Sequence, residues 1–302
     1  MEVKILSDEF KSGFITIIGR PNVGKSTLMN NLVGEKLSIV SSKPQTTRNT
    51  IQTVLTKDNY QIVFIDTPGI HKPRHKLGEY MVKVAENTLN EVDIIIFMIT
   101  PDYEVGVGDQ FIIKQLEKVK TPVLLVINKI DEANKEKLAK TVSSYSSMYN
   151  FNDIVPISAL SGDNVDELIK VLIKNLPNGP KYFPDDTLTD QPEKFIVAEI
   201  IREKALNLLE QEVPHGVAVE ITNMKEQQGS KLINIGATIY CEKESHKGII
   251  IGKDGQLLKK IGTNARVDIE RLLGTKVFLE LWVKVKKDWR DNPLTLKGFG
   301  YK

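Results

Sequence analysis

Gly19-Arg20-Pro21-Asn22-Val23-Gly24-Lys25-Ser26 decides the fold, because it satisfies G-x-x-x-x-G-K-[ST] at every required position. Phe14-Ile15-Thr16-Ile17-Ile18 before it is an apolar run of strand length, and Ser26 to Val33 after it carries a helix pattern. A glycine-rich turn between a buried strand and a helix gathers main-chain N–H groups and the positive helix end into a cradle for phosphate. Gly19 and Gly24 supply backbone conformations that other residues resist. Lys25 adds a point charge toward the β- and γ-phosphates, and the Ser26 hydroxyl is a candidate Mg²⁺ ligand. Asn22, Val23 and Thr27 complete the expected phosphate-side contacts.

Downstream, Asp66-Thr67-Pro68-Gly69 follows the apolar run Ile62-Val63-Phe64-Ile65. Open α/β sheets bind ligands at the carboxyl ends of their strands, so Asp66 is expected to hold Mg²⁺ through water and the Gly69 N–H to sense a γ-phosphate. Between the motifs lies Lys43-Pro44-Gln45-Thr46-Thr47-Arg48, polar and aperiodic, a loop whose Thr47 hydroxyl is a second candidate ligand. Lys25, Thr47, Asp66 and Gly69 form the candidate catalytic set; Ser26, Thr47 and Asp66 form the candidate metal set.

Asn128-Lys129-Ile130-Asp131 supplies the base specificity. The Asp131 carboxylate can accept from guanine N1–H and the exocyclic amine, and adenine has neither donor there. A site built that way rejects the wrong base by roughly four to five powers of ten. Ser158-Ala159-Leu160, after Ile154-Val155-Pro156-Ile157, is expected to offer the Ala159 N–H to guanine O6. Asn128 would support the base and its loop, with the Lys129 stem packed on the ring. Alone, N-K-x-D could be a strand running into a polar turn; in this order the motifs specify GTP and GDP.

Strand-like and helix-like segments alternate to about residue 176, which predicts a mostly parallel sheet with helices on both faces, an α/β domain. One antiparallel hairpin is expected around Asp58-Asn59. A proline-rich stretch from Pro177 to Pro192 then interrupts helical texture. The expected division is a nucleotide-binding domain over 1–178, a linker over 179–193 and an α+β domain over 194–302. The second domain reads helix, strand, strand, helix, helix, strand, an order that resembles the type II KH domain. Its G-x-x-G is Gly252-Lys253-Asp254-Gly255, preceded by Gly248 and Ile251 and followed by Lys259, Lys260 and Arg266. These nine residues are the candidate RNA contacts, since glycines admit a nucleic-acid backbone closely and bases can splay onto an apolar groove. A plain helix-to-helix turn is the competing reading.

The chain of 302 residues carries a net charge of only +2. Residues 231–302 nevertheless hold 15 Lys and Arg against 8 Asp and Glu, whereas residues 181–230 hold 5 against 10. The basic surplus is confined to the segment bearing G-x-x-G, as an electrostatic RNA footprint requires, although Lys284, Lys286, Lys287 and Arg290 also suit a solvated edge strand. A single cysteine, Cys241, excludes an intramolecular disulfide and agrees with a reducing compartment. No charged-then-apolar leader is seen over 1–13, and the apolar run near Ile94–Ile99 is too short to span a bilayer, so any membrane contact is expected to be peripheral.

Pro44-Gln45-Thr46-Thr47-Arg48, Asp66-Thr67-Pro68-Gly69-Ile70-His71 and the KH-like tail resemble the Era family of the translation-factor-related GTPases over nearly the whole chain. The resemblance implies a GTP-hydrolysing ribosome-assembly factor, bound to single-stranded small-subunit rRNA near its 3′ end and to the small ribosomal subunit, not to DNA. It implies a cytoplasmic location with possible contact at the inner face of the membrane. Ile70 stands where Ras-like enzymes carry a water-orienting glutamine, which predicts slow intrinsic turnover. Asn22 resembles the asparagine with which related GTPases hold K⁺; Arg48 in cis is the alternative source of positive charge, and His71 a weaker candidate base. Two rivals share parts of this pattern. A tRNA-modification GTPase would need a preceding folate-binding domain and a reactive cysteine near the C-terminus, and a non-enzymatic scaffold would dock protein or membrane through the second domain's helices.

Overall fold

The structure, a computed structural model, describes residues 10–41, 43, 46–68, 75–102, 104–227, 229 and 231–301. Contacts divide the chain into two compact units. The first comprises residues 1–34, 49–71 and 82–190; the second comprises 35–48, 72–81 and 191–302.

In the first unit six strands pair in the order β2-β3-β1-β4-β5-β6: β1 (Lys11–Ile18), β2 (Ile51–Lys57), β3 (Tyr60–Asp66), β4 (Ile94–Ile99), β5 (Val123–Ile127) and β6 (Asp153–Pro156). Every pairing is parallel except β2 with β3, the hairpin closed at Lys57↔Tyr60. β4 and β5 are buried at every residue, because helices cover both faces. Alternation then sorts the side chains. Ile94, Ile96 and Met98 pack with Leu28 of α1 (Lys25–Val33) and Leu168 of α5 (Val165–Asn175). Ile95, Phe97 and Ile99 pack with Ile112 of α3 (Val107–Leu116) and Tyr145 of α4 (Lys135–Ser146). α2 (Lys76–Leu89) contributes Ala85 and Leu89 to that second cluster, while its first turns, to Met81, belong to the other unit. The strand order reverses at β1, so the turn after β1 opens at a topological switch point.

Residues 177–190 are ordered against this sheet. Ser12 N–H donates to Pro177 O, Val54 N–H to Leu188 O, and the buried Gln61 side chain holds the main chain at Tyr182 and Phe183. Most of the stretch expected to link the domains is thus a strap on the first unit, and the contact division falls between Asp190 and Gln191.

The second unit's sheet has the order β7-β8-β9: β7 (Ala218–Glu226) antiparallel to β8 (Leu232–Cys241), and β8 parallel to β9 (Lys276–Val285). α6 (Glu193–Leu208) and α8 (Gln256–Leu273) cover one face, with α7 (Glu244–Ile251) preceding the G-x-x-G turn. A C-terminal helix α9 (Pro293–Gly298) sets Trp289, Leu296 and Tyr301 against Leu77, Met81 and Ala218. No helix among the described residues is long and apolar enough to cross a membrane.

Candidate nucleotide site and nucleic-acid interface

The phosphate loop joins β1 to α1 with three residues at positive φ: Gly19 (153°), Asn22 (67°) and Gly24 (105°). Glycine is required at two of them for space as well. A Cβ on Gly19 would lie 2.2 Å from Met98 O, and one on Gly24 would lie 2.1 Å from Asn128 Nδ2. Val23, between them, is anchored in the core, and Thr27 is half-buried in the first turn of α1. Lys25 is buried and donates to Gly19 O (3.2 Å) and Arg20 O (3.0 Å), so its ammonium is held by its own loop. Burial pulls its pKa down to about 8, with Asp66 opposing.

Arg20 fixes the other side of the loop. Its guanidinium pairs with Asp109 (2.8 Å) and Asp102 (3.1 Å). Asp109 is fully buried and accepts from Tyr145 Oη at 2.7 Å, which ties the loop to α3 and α4. Desolvation raises the Asp109 pKa despite those partners. Arg20, Asp109 and Tyr145 are silent in the sequence, because an arginine at an unspecified motif position and a tyrosine in an amphipathic helix carry no signal until the helices pack.

Ser26 Oγ lies 3.4 Å from Asp66 Oδ2, bringing the first residues of α1 to the buried carboxyl end of β3. A hydroxyl and a carboxylate beside a phosphate cradle are a hard oxygen donor set suited to Mg²⁺. Thr47, the third expected ligand, is buried in the second unit. Its neighbour Thr46 offers its carbonyl to Arg202, and Arg48 donates to Val217 O (2.7 Å) and His215 O (3.2 Å) with its guanidinium over Trp289. The arginine expected as a phosphate-facing charge is therefore engaged with carbonyls of the second unit. Gly69, with Pro44, Gln45, Ile70 and His71, lies outside the described residues.

Asn128 links three parts of the base site. Its Nδ2 donates to Val23 O (2.7 Å) and its Oδ1 accepts from Ala159 N–H (2.8 Å), both bonds buried. Lys129 adopts φ 65°, and Asp131 follows in a single exposed turn, Ile130–Glu132. Ser158 and Ala159 are buried while Leu160 is exposed, and the Ala159 N–H expected at guanine O6 is instead engaged by Asn128 Oδ1. One amide side chain thus holds the phosphate loop, the N-K-x-D turn and the Ser158–Leu160 loop together.

In the second unit Gly252 (φ 72°) and Gly255 (φ 75°) bracket the turn for different reasons. A Cβ on Gly252 would meet Leu257 Cβ at 2.8 Å, whereas one on Gly255 would meet nothing within 4 Å. Beside the turn is a cavity of about 380 Å³ between α8 and β9, lined by Gly255, Leu258, Lys259, Gly262, Thr263, Arg266, Phe278, Leu279 and Leu281. Of the expected RNA contacts, Gly255, Lys259 and Arg266 line it. Lys253, Asp254 and Lys260 are exposed around it, Gly248 sits in α7 with open space, and Ile251 packs on the core. Strands are expected to form the groove's other wall, and the structure assigns that wall to β9, because alternation shows which residues face outward but not which strand borders the groove.

A family model described as a 50S ribosome-binding GTPase matches residues 14–129, and a KH domain model matches residues 212–290. The chain is 64% identical to the GTPase Era of Clostridium kluyveri over 97% of its own length and 99% of that protein's, and 62% identical to that of Clostridium acetobutylicum over 97% and 98%. Among solved structures, Era bound to MgGDPNP and nucleotides 1506–1542 of 16S rRNA matches with TM-score 0.93 and 43% identity, over 97% of this chain and 99% of that one. An Aquifex aeolicus Era variant bound to GDP and aluminium fluoride matches equally well.

Proposed function

Because the chain belongs to the Era family of GTPases, we propose that this GTP-hydrolysing protein binds single-stranded RNA near the 3′ end of small-subunit rRNA and acts in small-subunit assembly, with RNA affinity set by its nucleotide. The observation that carries the reading is a guanine-nucleotide loop and a G-x-x-G groove in one chain whose full length aligns with an Era relative crystallised with MgGDPNP and 16S rRNA. Ser26 and Asp66 would hold Mg²⁺, with Thr47 as the proposed third ligand when a γ-phosphate is bound. Mg²⁺ held there would supply charge neutralisation for the transferring phosphoryl group, and Lys25 and the loop N–H groups would orient that group. Asn22, at positive φ in the loop, is the proposed K⁺ ligand; equal hydrolysis rates in K⁺ and Na⁺ would remove that part.

Coupling is supported by contacts inside the second unit. Lys36 pairs with Glu203 (2.6 Å) and Asp268 (2.8 Å), Val40 N–H donates to Glu203, and Arg48 donates to Val217 O just ahead of β7, so Lys36, Val40 and Arg48 are held by elements of the second unit itself. Drawing Thr47 to a metal competes with those bonds. RNA affinity measured with a non-hydrolysable GTP analogue and with GDP tests this, and identical affinities refute coupling. Crosslinking in extract, followed by sequencing of the attached RNA, tests the rRNA target. The proposed location is the cytoplasm with peripheral contact at the inner membrane face, which fractionation checks.

A further inference from the structure

Three consecutive residues near the C-terminus tie together parts of the second unit that lie far apart in the chain. Trp289, Arg290 and Asp291 form one helical turn after β9, and each side chain goes to a different partner. The Trp289 indole is fully buried, donates through Nε1 to Gly216 O (2.9 Å) and lies under the Arg48 guanidinium, 5.6 Å from the ring centroid. Arg290 donates through Nε to Glu242 Oε1 (3.0 Å), two residues ahead of α7. Asp291 accepts from the N–H of Lys76 (3.2 Å), the first residue of α2, and its other oxygen lies 3.4 Å from His75 Nδ1. A carboxylate at that helix end is favourably placed.

The last described residue closes the tie. Tyr301 stacks beside Trp289 with ring centroids 6.1 Å apart, meets Tyr80 of α2 edge-on, and its hydroxyl lies 3.4 Å from Arg48 Nη1. Arg48 directly follows Thr47, and Leu77 and Met81 of α2 pack in the same cluster as Trp289 and Tyr301. The Asp291 and His75 side chains are 51% and 37% exposed, so that arm can open without unfolding the unit. We propose that the turn Trp289–Asp291, backed by Tyr301, is the joint through which nucleotide state reaches the RNA groove. Trp289 and Asp291 read the segments behind the two phosphate-side motifs, and Arg290 passes their movement through Glu242 to α7 and the G-x-x-G turn that follows it. The inference rests on the reading that RNA affinity follows the nucleotide. Drawing Thr47 toward a metal pulls Arg48 off the indole, and that change in contacts is the differential interaction that a shift between two states requires.

The test uses the full chain, GDP, a non-hydrolysable GTP analogue and an oligoribonucleotide from the 3′ end of 16S rRNA. In wild type the RNA affinities in the two nucleotide states are expected to differ by about five- to 150-fold. Asp291→Ala and Tyr301→Phe remove an exposed carboxylate and a single hydroxyl; each should bring that ratio toward one and leave GDP affinity as in wild type. A second readout follows the joint directly. The chain has two tryptophans, so Trp282→Phe leaves Trp289 as the single indole emitter. Exchanging GDP for the analogue should change its emission as Arg48 leaves the ring, whereas a merely structural turn would emit alike in both states. Identical wild-type RNA affinities refute the coupling itself. A wild-type difference that survives both variants, or Trp289 emission that ignores the nucleotide, overturns the joint and leaves the coupling standing. Loss of RNA from Asp291→Ala in both states, with GDP binding intact, also overturns it, because the turn would then be part of the RNA site and not its relay.

Discussion

Replacing Asn128 with alanine should damage phosphate binding as well as base binding. The side chain makes two buried hydrogen bonds, to Val23 O at 2.7 Å and from Ala159 N–H at 2.8 Å. Truncation leaves both main-chain groups without their partner, at about 1–3 kcal/mol each. The loss at Val23 falls on the phosphate loop, and converted at 1.4 kcal/mol per decade it predicts roughly five- to 150-fold weaker phosphate binding. The whole change, about 2–6 kcal/mol, should lower the melting temperature by about 4–24 °C for a domain of this size. Calorimetry with pyrophosphate isolates the loop, because that ligand has no base for Asn128 to touch. Asn128→Asp sharpens the result, since it keeps an acceptor for Ala159 but sets an oxygen against Val23 O. If Asn128→Ala binds pyrophosphate like wild type while losing GDP, the residue acts on the base alone and the bracing argument is wrong.

Gly24→Ala should abolish nucleotide binding in a protein that still folds, because the new Cβ needs both φ 105° and the space of Asn128 Nδ2; normal GDP titration would contradict the geometry. Lys25 has its free pKa lowered to about 8, and a bound phosphate raises it, so binding takes up a proton above that pH. Pyrophosphate affinity should accordingly be level below pH 8 and fall by up to about tenfold per unit above it, and a flat profile to pH 9 would remove the depressed lysine. Tyr145→Phe deletes the donor to buried Asp109 and should cost about 1.5–3 kcal/mol in denaturant unfolding, with weaker nucleotide binding as Arg20 loosens. Arg48→Ala leaves the Val217 and His215 carbonyls without their donor and should destabilise the second unit while kcat per folded molecule is kept; a kcat loss above tenfold would restore Arg48 as a catalytic charge.

The nucleotide motifs were legible because each depends on short-range covalent geometry. Gly19, Gly24, Lys25 and Ser26 are bound to a strand end and a helix start, and their roles survive in almost any packing of those elements. Asp131 is a candidate on hydrogen-bonding chemistry alone, and it stands exposed in the turn after Lys129. What stayed hidden are groups whose partners lie far along the chain: Arg20 with Asp109, Asn128 with Val23, Arg48 with Val217. Such pairs depend on which faces meet, and a one-dimensional pattern records the face but not its neighbour.

Residues 177–190 make the same point from a different direction. Their prolines ruled out a helix, and that much is local stereochemistry. That the stretch straps the first unit follows from groups the ladder leaves unpaired finding a chain within reach: Val54 N–H on the edge strand β2, Ser12 N–H near the start of β1 and the buried Gln61 side chain of β3. The sequence alone determined the α/β and KH-like folds, the guanine specificity and the basic tail, since periodicity, backbone stereochemistry and charge are properties of neighbouring residues. Tertiary structure alone decided that Arg48, in the polar loop between the first two motifs, is bound by carbonyls of the second unit and that Phe278 of β9 lines the groove beside α8, because burial of a charge and the meeting of two elements are outcomes of packing.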